Sequence, residues 1–174
     1  DPFGTVILPL CMLAMNGPVF GYAKPVPYNP SYFKNPKTGD VIVGLAGPAA
    51  NLVMAALAGA IAWALYGQAS ALVAQSEAFA HFYLMFLPMF ALINLYLLFF
   101  NLLPIPPLDG SSVLALFIPK KHMHAYYRVQ QYAMPVFIIV LIVLPYVLHV
   151  NPIGVYLDVT AGNVANLLFP FRVS

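Results

Sequence analysis

The chain is 174 residues long, 62% hydrophobic and only 7% charged, with a formal net charge of +2. Soluble domains are roughly 45–50% apolar and about 25% charged, so these charges are too few to coat a water-soluble globule and point to a membrane-embedded one. The small net charge argues against nucleic acid as a partner, and a lone cysteine, Cys11, excludes an intramolecular disulfide.

The first predicted element, 3–15, is apolar but short and interrupted by Pro9, which suits a partial span or a re-entrant piece. The segment KPVPYNPSYFKNP (24–36) holds four prolines in thirteen residues. Proline locks φ and disfavours helix at the preceding residue, so an extended, ordered loop is expected. Tyr28, Tyr32 and Phe33 suggest that this loop rests at the membrane interface. Segments 41–66, 79–103 and 132–150 then each reach the roughly 20 apolar residues that a hydrocarbon core demands. The tail, 153–171, is more mixed, with Asp158, Asn163 and Asn166, and either lies at the interface or folds back into the bundle. The expected fold is all-α: one membrane-embedded domain over 1–174, a polytopic transmembrane helix bundle with proline-rich interfacial loops.

Basic residues orient it. Lys24, Lys34 and Lys37 precede the first full span, Lys120, Lys121 and Arg128 follow the second, and 67–78 has none. Lys and Arg accumulate on the cytoplasmic side. The three spans are thus expected to run outward, back, and outward again, as in a multi-pass protein of the cell membrane. Asp109 then falls near the cytoplasmic end of the second span. Arg172 is the one basic residue this scheme leaves unplaced.

Asp109 is the sharpest candidate for chemistry. It could cap a short helix through 113–117, since Asp before Gly-Ser-Ser is a sound N-cap. Alternatively, Pro104, Pro106 and Pro107 end the preceding helix and strand its last carbonyls. Irregular backbone at membrane depth is tolerated only inside protein or beside water, so a carboxylate there belongs to a polar cavity. Asn51 lies within the first span after Gly47-Pro48, where an amide commonly bonds a neighbouring helix. Gly44, Ala46, Gly47 and Ala50 make a small-residue face beside it. Asn94 and Asn101, seven residues apart, share roughly one face of the second span; Asn101 could equally be a C-cap. His81, His122, His124 and His149 show no i,i+4 pairing suited to a helical metal site, and Glu77 is the only glutamate.

NLLPIPPLDGS (101–111) resembles the N-P-D-G signature of the site-2 protease family of intramembrane zinc metalloproteases. DPFGT with ILPL (1–10), PVFGYAKPVPYNP (18–30) and LAGPAANL (45–52) are similar to its short prokaryotic branch without PDZ domains, in the same order. In that family a helix just upstream of the DPxGT segment carries H-E-x-x-H, with two zinc-binding histidines and a glutamate as general base. The resemblance implies that Asp109 is the third protein ligand of the zinc. It further implies that Asn51, Asn101, Pro104 and Gly110 shape the site and position substrate. Two imidazoles and one carboxylate leave zinc's fourth position open for a water, which suits hydrolysis. Transmembrane proteins would be the substrates and the lipid bilayer the medium, with cleavage near the cytoplasmic face. The 174 residues contain no H-E-x-x-H, so catalytic residues are absent from this chain. The chain is then either the later portion of a longer protease or an inactive relative; with Asp1 as its first residue and neither an initiator methionine nor a leader, the former is expected, inactive by itself. Two rival functions remain: a small transporter or channel lined by Asp109, Asn51 and Asn94, and a non-catalytic membrane module that binds client helices.

Overall fold

A computed structural model describes residues 36–173. The expected element at 3–15 and the loop expected at 24–36, save Pro36, lie outside the described residues, as does Cys11; Pro36 is helical and not part of a loop. Among the described residues every regular element is helical, which agrees with the all-α expectation.

Helix α1 spans Pro36–Gln75. A proline in a first helical turn forfeits no helical hydrogen bond, and the Ala- and Leu-rich run that follows has high helix propensity. The helix runs past the expected loop at 67 because Gln68–Gln75 is rich in alanine and contains no proline. Only Ser76 interrupts it, as the N-cap of α2 (Glu77–His81), its hydroxyl accepting from the Phe79 N–H at 3.3 Å. A π-helical turn, Phe82–Phe86, joins α2 to α3 (Leu87–Asn101), making one rod.

Thr38–Gln75 and Glu77–Asn101 are each long and apolar enough to cross a membrane. They form an antiparallel hairpin. At its far end the Tyr83 hydroxyl donates to the Ala62 carbonyl at 3.0 Å, while Gly44 and Gly47 meet the chain just after α3 at the other. Outward faces are apolar: Val53 and Trp63 on α1 and Met89 and Ile93 on α3 are all more than half exposed. Such an inside-out surface suits lipid and not water.

After a loop come α4 (Ser111–Phe117), a 3₁₀ turn at Lys120–His122, α5 (Met123–Leu148) and α6 (Pro152–Leu168). Asn151 caps α6, accepting from the Gly154 N–H at 2.9 Å. The tail therefore folds back as a helix. Tyr96 donates to Asp158 Oδ1 at 2.7 Å, and further along the Phe171 ring lies 5.4 Å from that of Tyr83. These two contacts run α6 antiparallel to α3 and parallel to α1. Small residues make up most of the core, with Ala55, Ala58 and Ala62 of α1, Ala91 of α3, and Ala161 and Ala165 of α6 packed among larger side chains such as Leu95, Leu98 and Phe169. Short side chains let helix backbones approach closely, the usual solution where lipid removes the hydrophobic drive between helices.

Helix α5 is tied to the Asp109 end. Tyr126 near its start donates to the Ser111 carbonyl at 3.0 Å, and the Phe137 ring lies 5.9 Å from that of Phe100. Because α6 runs parallel to α1, residues 148–152 also lie at this end. That differs from the simple alternation inferred from the basic residues, in which 132–150 carries the chain to the far side.

Candidate functional site

The site begins with the end of α3. Proline lacks an N–H and restricts the residue before it, so Pro104, Pro106 and Pro107 prevent the helix from continuing. Tight turns replace it. Ile105 N–H donates to Leu103 O at 2.8 Å and Leu108 N–H to Ile105 O at 2.9 Å. Gly110 N–H then returns to the Asn101 carbonyl at 2.6 Å, satisfying an acceptor that the broken helix would have left open. Gly110 must be glycine for want of space. Its φ of −59° is ordinary, but a Cβ there would lie 2.7 Å from the Leu103 carbonyl oxygen.

The Asp109 main chain is clamped by Ser112, whose N–H and Oγ both donate to the Asp109 carbonyl, at 3.0 and 2.7 Å. Its carboxylate turns to α1. A Cβ on Gly47 would stand 3.5 Å from Asp109 Oδ2, and one on Gly44 would crowd Ser112 Oγ at 2.7 Å. The capping alternative does not hold: α4 has Gly110 as its N-cap and no side-chain cap bond. Among the described residues no group donates to the Asp109 carboxylate. Half-buried and unpartnered, it is pushed above the usual aspartate pKa by desolvation.

The other expected site residues take different places. Asn101 and Gly110 belong to the same closed loop, Asn101 through its backbone carbonyl. Pro104 is exposed and acts by ending the helix. Asn51 is half-buried. Gly44, Gly47 and Asn51 share a face of α1 at i, i+3 and i+7, which puts Asn51 about one turn beyond Gly47. Asn94 is buried, and its amide donates to the Phe90 carbonyl of its own helix at 2.8 Å. The direct neighbours of Asp109, namely Gly44, Gly47 and Ser112, were not singled out as site residues from sequence. Nor was Ser111, 2% exposed and contacted by Tyr126. The glycines were legible only as a close-approach face, with nothing to say what approaches.

Among the described residues no three His, Cys, Asp or Glu side chains gather where a metal ion could sit. One carboxylate without imidazoles does not by itself fit zinc, which takes three or four protein ligands.

The profile of peptidase family M50 matches residues 6–144. The chain belongs to this family. The M50 match takes in α1, α3 and the Asp109 loop, and α6 lies beyond it. A relative, YwhC of Bacillus subtilis (strain 168), is 31% identical over 156 residues, and its name assigns it provisionally as a zinc metalloprotease. The alignment covers 90% of this chain, which spans 63% of that relative's length. No solved structure matches the chain.

Proposed function

We propose that this chain supplies the carboxylate arm of the metal centre in an intramembrane zinc metalloprotease that hydrolyses peptide bonds of transmembrane proteins near the cytoplasmic face. Membership of the M50 family supports the class of chemistry. The observation that carries the reading is the Asp109 carboxylate. It is an acceptor-only group, fixed through its main chain by Ser112, aimed at Gly47, and given no donor among the described residues. Burial that raises its pKa without a compensating partner is the state of a group that gains from a bound cation.

In this reading Asp109 is the metal ligand, and Gly110 and Asn101 hold the loop closed beneath it. Pro104 ends α3 so that irregular backbone, and water with it, is admitted at the rim of the membrane. Asn51 faces substrate from α1. The two imidazoles and the general base come from outside these 174 residues. The membrane is spanned more than once, which the two apolar helices of the hairpin support.

The test uses the protein as its gene encodes it, reconstituted in liposomes with a model transmembrane substrate. Asp109→Asn keeps the shape of the side chain and is expected to lower cleavage by about a hundredfold or more, in line with losing a ligand and not merely its support. Ser112→Ala is expected to cost far less. Full cleavage by Asp109→Asn ends the proposal.

A further inference from the structure

The far end of the hairpin, away from Asp109, carries a second set of ligand-type side chains that the protease reading leaves unused. Glu77, His81, Met85 and Met89 follow one another at four-residue intervals. Residues four apart drift by about 40° around an α-helix. The π-helical turn Phe82–Phe86 lies between His81 and Leu87, and its wider turn takes part of that drift back.

The side chains meet accordingly. His81 Nδ1 lies 3.2 Å from Met85 Sδ, and His81 Nε2 lies 3.6 Å from Glu77 Oε1. His81, Met85 and Met89 line one cavity of about 470 Å³, whose other walls are Phe86, Phe90 and Ile93. In the tautomer that carries its hydrogen on Nε2, the imidazole turns that hydrogen towards Glu77 and leaves the Nδ1 lone pair for a metal ion beside the thioether. Carboxylate–histidine pairs orient metal-binding imidazoles in this way.

We propose that His81, Met85 and Met89 form a binding site for copper(I), with Glu77 as the positioning carboxylate. Thioether sulfur with imidazole nitrogen is a soft donor set that selects copper(I). Magnesium and calcium require oxygen ligands, and a zinc site would call for thiolate or further imidazoles. The site is separate from the Asp109 loop. Met85 and Asn101, sixteen residues apart on one rod, are about 24 Å from each other. It shares no residue with the proposed protease centre.

The test is competition for copper(I). The whole protein in detergent, kept reduced with ascorbate, is titrated against a chromophoric copper(I) chelator. Wild type is expected to withhold one equivalent. Met85→Leu, which keeps the side-chain volume, and His81→Asn are each expected to weaken retention by about tenfold or more, with helix content unchanged by circular dichroism. His124→Asn and Asp109→Asn are expected to retain copper like wild type, so loss of the protease reading would leave this result standing. A wild type that yields all its copper, or a Met85→Leu that holds it as tightly, overturns the site.

Discussion

The middle of the helix packing and its Asp109 end use small residues for opposite energetic ends. In the middle, alanines at 55, 58 and 62 meet alanines at 91, 161 and 165, all buried, and the close approach is rewarded by van der Waals contact alone. Asn94, the buried amide there among the described residues, bonds its own helix and asks nothing of its neighbours. At the Asp109 end, Gly44, Gly47 and Gly110 admit irregular backbone and a carboxylate. That carboxylate has lost water without gaining a donor among the described residues, so it disfavours the fold unless something binds it. Contact stabilises one region; the other gives up stability to keep a group available.

That contrast can be broken by substitution. Gly110→Ala should have the largest effect, because its Cβ would meet the backbone of residues 102 and 103 and not a yielding side chain. A loss of about 3 kcal/mol is expected, measured by denaturant unfolding in mixed micelles, together with loss of activity in the whole protein. Gly59→Ala puts a Cβ 2.6 Å from the Leu168 carbonyl oxygen, and about 1–3 kcal/mol should be lost. Here the Asp109 loop stays intact, so a change in metal binding by this variant would show the two regions to be coupled. Tyr96→Phe removes the donor to Asp158 Oδ1 and should cost about 0.6 kcal/mol, typical of bonds between membrane helices.

The smallest effect discriminates best. The Asp109 pKa is raised in the folded protein, so its protonated form is the one the fold favours. Metal-free wild type should be most stable below the ordinary aspartate value of about 3.9 and lose that increment as pH rises through the folded-state value. Asp109→Asn should lack this slope and be slightly the more stable protein at neutral pH. Wild-type stability that climbs over the same interval would mean that a donor holds the carboxylate after all.

What could be read from sequence follows the range of the forces involved. The end of α3 was legible because proline acts on its own residue and the one before: a stop near 103 was expected, and the helix ends at Asn101. The far limit of α1 was set too early, because the glutamines and serine of Gln68–Gln75 break the apolar run without breaking the helix, which its alanines and leucine favour. The tail was ambiguous because Ala161 and Ala165 have meaning only against partners on α1 and α3. Asp109 stood out as a carboxylate beside a proline break. Its position against Gly47 did not, since that depends on the register of two antiparallel helices. The N-cap alternative for Asp109 could not be ruled out from sequence for a similar reason, since it fails only because Gly110 takes the cap position and the Asp109 carboxylate turns to α1.

The most direct measurement is zinc retention by the gene-encoded protein, wild type beside Asp109→Asn, after dialysis against a chelator of known strength. If the carboxylate is a ligand, wild type keeps about one zinc per chain and the Asn variant loses it at a chelator concentration roughly tenfold lower or less, with its helix content unaltered. Equal retention by the two proteins would contradict that role.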